Sequence, residues 1–158
     1  MNKEEILKEI RKRFKDDIID IFDKSQKRVY IEIKPESLVR VATYIFKDLA
    51  ARFNTASGID ARYHMEILYH FTIEDINLLI SLRVKLDKSK ELEIDSLAPV
   101  FEGANWIERE IYEMLGIRFR GHPDLKKLLL SDDWPEGVYP LRHDYKEWDK
   151  KAIRDRGV

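Results

Sequence analysis

The sequence contains no cysteine among its 158 residues. It therefore cannot form disulfides, thiolate metal sites or iron–sulfur ligation, and it offers no cysteine nucleophile. The six glycines are isolated from one another, so a glycine-rich phosphate loop is missing as well. Charge of either sign is in little excess, since 29 Lys plus Arg oppose 30 Asp plus Glu. Such a balance provides no long-range attraction to nucleic acid or to an anionic membrane.

Long apolar runs are absent too. No stretch approaches the roughly 20 apolar residues that span a bilayer, and the highly charged N-terminus is unlike a signal peptide. A hydrophobic content of 44% is enough for one core of ordinary size, so we expect a soluble cytoplasmic protein of one domain. Glutamine occurs only at Gln26 while Lys, Glu, Arg and Ile are abundant, a bias seen in proteins of hyperthermophiles.

Helical spacing and strand-like alternation divide the first part of the chain. Apolar residues at intervals of three and four predict an amphipathic helix from about Lys3 to Lys15. Alternation then predicts a hairpin with strands near Asp17 to Phe22 and Arg28 to Ile33, although helical spacing also allows the first helix to continue through Ile21. A second helix is predicted from Pro35, which suits a first helical turn, to about Arg52.

The clearest pattern of period two lies in the middle of the chain. Apolar and polar residues alternate from Met65 to Ile73 and again from Ile76 to Leu86, which predicts a long antiparallel hairpin with one buried face. Residues 54–60 are predicted to be a connection or a short irregular strand, and a strand near residues 91–96 is predicted to extend the sheet. The order of elements predicts an α+β fold, with a small antiparallel or mixed sheet and helices mainly on one face.

A third helix is predicted from Trp106 to Leu115. Asn105 can cap it, with Glu108 completing a capping box, and Gly116 can adopt the left-handed conformation just past its end. An apolar stripe on this helix is predicted to close the open side of the sheet, and it consists of Ile107, Ile111, Met114 and Leu115.

The residues after Gly116 show no sustained apolar period apart from a short helix predicted at Leu125 to Leu130. Such a segment buries too little apolar surface to offset its ordering entropy, about 1–2 kcal/mol per residue of backbone. Yet it is rich in aromatic residues, as protein interfaces are. We therefore predict an α+β domain at residues 1–116 and an extended C-terminal segment at residues 117–158 that binds a partner protein.

Three glutamates of the third helix are the strongest candidates for acid–base or metal chemistry. Glu108 would point about 160° away from Glu110 on a helix, and the Glu-x-x-His pairs of a helical di-metal site are missing. We instead expect Glu113 to pair with Arg109 one turn away. The histidines have no companions at ligand spacing, and they are His64, His70, His122 and His143. No catalytic, cofactor-binding or metal site is therefore predicted.

Four basic residues could contact the phosphates of RNA, namely Arg118, Arg120, Lys126 and Lys127. Asp124, Asp132 and Asp133 interrupt them. A free-standing RNA-binding α+β module is therefore kept only as an alternative.

Three linked motifs carry a family resemblance: ANWIEREIYEMLGI at residues 104–117, GHPDLKKLLLSDDW at 121–134 and YPLRHDY at 139–145. Together they resemble the signature of the thirty-kilodalton subunit of respiratory complex I. Membrane-bound nickel–iron hydrogenases share this signature in their corresponding small subunit. Glu113 stands where the family more commonly has aspartate.

The resemblance implies a non-catalytic assembly subunit without a redox cofactor, on the cytoplasmic side of the membrane as a peripheral part of a complex. Its partners would be the large subunit with the quinone or nickel–iron site and the iron–sulfur subunits, with no nucleic acid involved. The short chain and the composition favour a hydrogenase-type or related ferredoxin-linked, ion-translocating complex over an NADH/quinone-type complex I. The predicted interface residues are Glu108, Arg109, Glu110, Glu113, His122, Asp124, Asp132, Asp133, Trp134, Arg142, Asp144, Tyr145 and Trp148.

Overall fold

The structure is a computed structural model, and it describes residues 1–146. A five-stranded sheet is packed against helices, with a small two-stranded sheet beside it. The elements in chain order are α1 (Lys3–Arg13), β1 (Ile18–Ser25), β2 (Arg28–Ile33), α2 (Leu38–Thr43), β3 (Arg52–Asp60), β4 (His64–Ile73), β5 (Leu78–Asp87), β6 (Glu93–Asp95), α3 (Ala104–Leu115) and β7 (Arg118–Arg120).

The main sheet has the strand order β1-β2-β5-β4-β3. Its pairs are antiparallel except β2 with β5, which are parallel. Ile31 lies opposite Leu82 in the parallel pair, and Tyr69 lies opposite Leu82 in the long hairpin. These alternating residues are fully buried, and α1, α2 and α3 all contribute to the same core. The predicted α+β fold with a mixed sheet is confirmed.

The first helix and hairpin follow the sequence pattern closely. Asn2 caps α1 by accepting from the Glu5 amide at 2.9 Å, while the Glu5 carboxylate accepts from the Asn2 amide at 2.8 Å. The helix ends at Arg13, and β1 pairs with β2, so the alternative helix through Ile21 is wrong.

The second helix is shorter than predicted. It begins as a 3₁₀ turn at Pro35–Ser37, continues as α2 and ends in a π-helical turn at Tyr44–Asp48. Ala50 has a left-handed φ of 49°, which stops the helix before Arg52. Arg52 instead starts β3, whose backbone groups form ladder bonds with β4. The irregular strand predicted at residues 54–60 is thus part of a full edge strand, with a register shift between Phe53 and Thr55.

The strand predicted near residues 91–96 does not extend the main sheet. β6 pairs in parallel with β7 instead, with Ile94 opposite Phe119. Both side chains and that of Ile117 are buried in the core. The packed domain therefore runs through Arg120, beyond the predicted boundary at residue 116.

The start of α3 was also predicted wrongly. The helix begins at Ala104 behind Gly103, which makes no side-chain cap, so Asn105 lies inside the helix. Glu108 does not close a capping box, because its carboxylate faces the interior. Gly116 does end the helix in the left-handed region, with a φ of 75°.

Residues 121–146 contain no helix or strand, so the helix predicted at Leu125 to Leu130 is wrong. Within residues 1–146, we find no helix with the length and apolar content to cross a bilayer.

Candidate partner interface

Helix α3 is held against the edge of the sheet by its apolar stripe. Ile111 and Leu115 are buried over β3. Gly58 of β3 permits the close approach, since a Cβ atom there would lie 2.5 Å from Leu115 Cδ1. The helix is thus fixed on one side, and its remaining sides are available to the C-terminal segment and to solvent.

The side chain of Glu108, a residue of α3, is fully buried. Its carboxylate accepts hydrogen bonds from the Ser96 hydroxyl and, at 2.7 Å, from the Leu97 amide. Burial raises its pKa to about 7 despite these bonds. The hydroxyl of Tyr69 is also buried and has no hydrogen-bond partner among the described residues, and burial together with the Glu108 charge raises the pKa of Tyr69 well above its usual value. Glu108 therefore fixes the loop before α3, and partner contact by its own side chain stays a prediction.

His122 continues this buried cluster. Its Nδ1 accepts from the Asp124 amide at 3.0 Å, so the ring proton of the neutral form lies on Nε2, which donates to the Asn105 carbonyl at 3.0 Å. The same Nε2 lies 4.0 Å from a Glu108 carboxylate oxygen. His122 thus anchors the beginning of the C-terminal segment to α3, a role that its spacing in the sequence did not reveal.

Arg109 and Glu113, one turn apart on α3, bind the backbone of the segment. Arg109 donates to the carbonyls of Lys126 and Lys127 at 3.1 and 2.7 Å. Glu113 accepts from the amides of residues 128, 129 and 130 at 2.9, 2.7 and 3.3 Å. We call these two side chains the backbone clamp. Charged groups make stronger hydrogen bonds than neutral ones, so the clamp orders five consecutive residues without using their side chains.

The clamp replaces two predictions. Arg109 and Glu113 do not form an ion pair with each other, because each is directed at the returning segment. The helix predicted at Leu125 to Leu130 does not form, since three of its amides donate to Glu113 rather than to carbonyls four residues earlier.

A second set of contacts closes the C-terminal end of α3. Leu141 donates its amide to the Met114 carbonyl at 3.1 Å, and Arg142 Nε donates to the Leu115 carbonyl at 2.7 Å. The Arg142 guanidinium lies over the Tyr139 ring, 4.3 Å from its centroid. These contacts satisfy carbonyls that a helix end otherwise exposes, and they put a positive charge at the negative end of the helix dipole.

The rest of the segment is held by single contacts. Trp134 donates its indole N–H to the Val138 carbonyl at 2.8 Å and stacks with Tyr145 at 6.3 Å between centroids. The His143 amide donates to Asp60 of β3 at 2.8 Å. The segment therefore lies folded back along α3 and the edge of the sheet.

The other predicted interface residues are mostly open to solvent. Asp132, Asp133 and Asp144 are exposed, as is Asp124, and Glu110 is half-buried. Trp148 lies outside the described residues. The sequence analysis missed three large apolar side chains on or beside α3, whose exposed fractions are 69% for Trp106, 63% for Leu129 and 61% for Leu141. Trp106 could have been found, because it falls outside the apolar stripe of the helix.

A cavity of about 400 Å³ separates α3 from the segment, lined by Tyr112, Leu125, Lys127, Trp134, Val138 and Tyr139 among others. Its wall combines aromatic and aliphatic side chains with four charged ones, which are Glu113, Lys126, Lys127 and Glu136. No group of three or more His, Asp or Glu side chains within residues 1–146 is arranged to hold a metal ion.

Comparison with known proteins gives consistent results. A family model described as respiratory-chain NADH dehydrogenase, 30 Kd subunit, matches residues 31–151. A subunit of F(420)H(2) dehydrogenase from Methanosarcina mazei is 36% identical over an alignment of 135 residues, and the match covers 76% of this chain and 84% of that protein. A subunit of NADH-quinone oxidoreductase from Xanthobacter autotrophicus is 36% identical over 121 residues, 73% of this chain and 56% of that protein.

A solved chain is similar in fold. It comes from the structure of the membrane-bound sulfane sulfur reductase, an archaeal respiratory membrane complex. The TM-score is 0.79 at 16% identity, over 98% of this chain and 91% of that chain. At this identity the similarity concerns the fold alone.

Proposed function

The chain belongs to the family of the respiratory-chain NADH dehydrogenase 30 Kd subunit, and from this premise we propose that it is a non-catalytic assembly subunit of a membrane-bound, ion-translocating oxidoreductase. Its partners are the large redox subunit and the iron–sulfur subunits of the same complex. It carries no redox cofactor, and it reaches the cytoplasmic face of the membrane only through the complex.

The observation that carries this proposal is the exposed apolar surface around α3. Trp106, Leu129 and Leu141 are large side chains that are mostly exposed. Polar groups at the C-terminal half of α3, by contrast, already bind the segment, as the Glu113 carboxylate and the Met114 carbonyl do. Exposed apolar groups beside charged residues are typical of protein interfaces. The family match covers both α3 and the described part of the segment. The charged side chains that suggested catalysis are engaged elsewhere, since the clamp binds backbone and Glu108 binds the Ser96 loop.

Within this family we propose a hydrogenase-type or related ferredoxin-linked complex. The similarity to the F(420)H(2) dehydrogenase subunit from Methanosarcina mazei supports a complex of archaeal type. The alternative is a quinone-reducing complex, which the Xanthobacter relative supports. Measuring nickel in the purified complex tests the hydrogenase type, because a nickel–iron site predicts stoichiometric nickel and a quinone site predicts none. Reduction of the purified complex by reduced ferredoxin tests the related ferredoxin-linked type against the quinone-reducing alternative.

Co-purification tests the assembly role. An affinity-tagged chain, expressed in its native host and extracted in detergent, is expected to bring down a large redox subunit and membrane proteins. Trp106→Glu should reduce their yield roughly tenfold, as for a central interface aromatic. Tyr63→Glu is the matched control, since Tyr63 is 76% exposed and lies in the β3–β4 turn, which belongs neither to α3 nor to the C-terminal segment. An unchanged yield with Trp106→Glu, from a protein that still folds, would contradict the proposal.

A further inference from the structure

The two edges of the main sheet differ in how they are covered. At one edge, α3 packs on β3 and the His143 amide donates to Asp60. At the other edge, β1 pairs with no strand besides β2 in the part of the chain that the structure describes, and Lys3 of α1 donates to the Ser25 carbonyl at its C-terminal end at 2.7 Å. An uncovered edge presents unpaired amides and carbonyls, which can form ladder bonds with an added strand.

The exposed side chains of β1 are of two kinds. Asp20, Asp23 and Lys24 are charged residues of the sort that protects an open edge, whereas Ile19 and Phe22 are apolar and each 57% exposed. Register shifts at both ends of the strand leave residues 20–23 as its regular stretch. That length is sufficient for an added strand of four or five residues, roughly the common size of short strands.

A groove of about 330 Å³ runs beside β1, next to the C-terminal end of α1. Its apolar lining comes from Ile18, Ile19 and Ile21, and its charged lining comes from the cations Arg11 and Lys15 and the carboxylate of Asp20. Both cations are exposed, and neither takes part in an ion pair within residues 1–146. Apolar and basic groups are thus presented together along one open strand edge.

We propose that β1 is a second docking edge, which receives an extended segment of a partner protein as an added strand. Apolar residues of that segment pack on Ile19 and Phe22, and its carboxylates face Arg11 and Lys15. Recognition of this kind combines main-chain hydrogen bonds with alternate side-chain contacts. The surface lies apart from α3 and its segment, so this proposal goes beyond the assembly contact described above.

A second copy of the chain fits the edge less well. Its β1 would bring two carboxylates that are already engaged, because Asp20 accepts from the Ile21 amide at 2.8 Å and Asp23 pairs with Lys3. A second β1 added as a strand would therefore lack free carboxylates to meet Arg11 and Lys15.

A synthetic peptide of alternating valine and glutamate tests this surface on the purified full chain. Binding should slow amide hydrogen exchange at alternate residues of β1 and weaken with salt. The double variant Arg11→Gln/Lys15→Gln should bind roughly tenfold more weakly. Lys8→Gln/Lys12→Gln is the matched control, because it removes the same charge from exposed positions of α1 outside the groove.

Four results would overturn the proposal. They are equal binding of a valine–lysine peptide, protection at β3 in place of β1, equal loss in both double variants, and a β1-mediated dimer of the chain alone by sedimentation.

The assembled complex provides a second test, which rests on the proposed function. A photo-reactive benzoylphenylalanine in place of Phe22 should cross-link to an acidic, extended segment of one partner subunit, whereas the same group at Tyr63 should not. If the complex co-purifies and the Phe22 probe links to no other subunit, the docking edge is refuted while the assembly role stands. If the complex does not co-purify, the assembly role fails and the peptide measurement decides the docking edge alone.

Discussion

The domain and the segment that follows it are stabilised in different ways. Residues 1–120 share one apolar core, built from the alternating faces of the strands and the stripes of three helices. Residues 121–146 contribute little to that core, and polar bonds to α3 position them instead. Apolar burial is distributed over many residues, whereas these polar contacts depend on a few side chains. The order of the segment is therefore expected to be separable from the stability of the domain.

The largest expected effect comes from the domain core, at Leu82. This residue is fully buried on the central strand β5. Leu82→Ala should lower the free energy of unfolding by about 3 kcal/mol through lost burial and the cavity it leaves. Domain and segment should lose structure together. Thermal unfolding can measure this by circular dichroism and by the fluorescence of Trp134, in a background where Trp106 and Trp148 are replaced by phenylalanine. A segment that stays ordered above the unfolding midpoint would show that it does not depend on the domain.

The next largest effect concerns pH and Glu108. Because burial raises the folded pKa to about 7, the folded state holds a proton between pH 4.5 and 7 that the unfolded state has released. Stability should therefore fall as pH rises through that window, by up to about 3 kcal/mol. Glu108→Gln removes the titration, and its amide can accept from the Leu97 N–H and donate to the Ser96 hydroxyl oxygen. Its stability relative to wild type should therefore increase from pH 4.5 to 7 and then level off. Denaturant unfolding at several pH values checks this, and parallel curves for the two proteins would refute it.

A smaller effect is expected at the glycine that ends α3. Gly116 has a φ of 75°, and a Cβ there would lie 2.5 Å from Tyr139 Cζ and 2.6 Å from Arg142 Nη2. Gly121 has the same φ with nothing within 4 Å, so it is the matched control. Both alanine variants should lose about 1 kcal/mol to backbone strain. Only Gly116→Ala should also loosen residues 139–142, measurable by limited proteolysis, and equal cleavage of both variants would contradict this.

The same contrast explains what the sequence could predict. The hairpin of β4 and β5, the first helix and the mixed α+β fold were accessible because period two and period 3.6 report which side chains are buried. It was harder to predict that residues 54–60 belong to a strand of the main sheet, since they have few apolar side chains to mark a buried face. The pairing of β6 with β7 was missed because short parallel partners carry no turn signal between them.

The candidate site was predicted less completely for a physical reason. Glu113 and Arg109 bind backbone groups, and every residue type except proline offers the same amide and carbonyl. No residue pattern in the segment therefore indicates the clamp. Gly116 was identified as a helix end from its conformation, while its closeness to Tyr139 and Arg142 depends on the folded path of the segment. The family motifs identified which residues matter without revealing what they contact.

Amide hydrogen exchange at residues 128–130 tests the central claim, that the clamp orders the segment through its backbone. In the wild-type chain these amides should be protected, since each donates to the Glu113 carboxylate. In Glu113→Ala they should exchange roughly 10 to 100-fold faster, as expected for the loss of a charged acceptor. Amides of β5 should be unchanged, and Glu110→Ala should have no effect. Equal protection in Glu113→Ala and wild type, or equal loss of protection in β5 and the segment, would contradict the account.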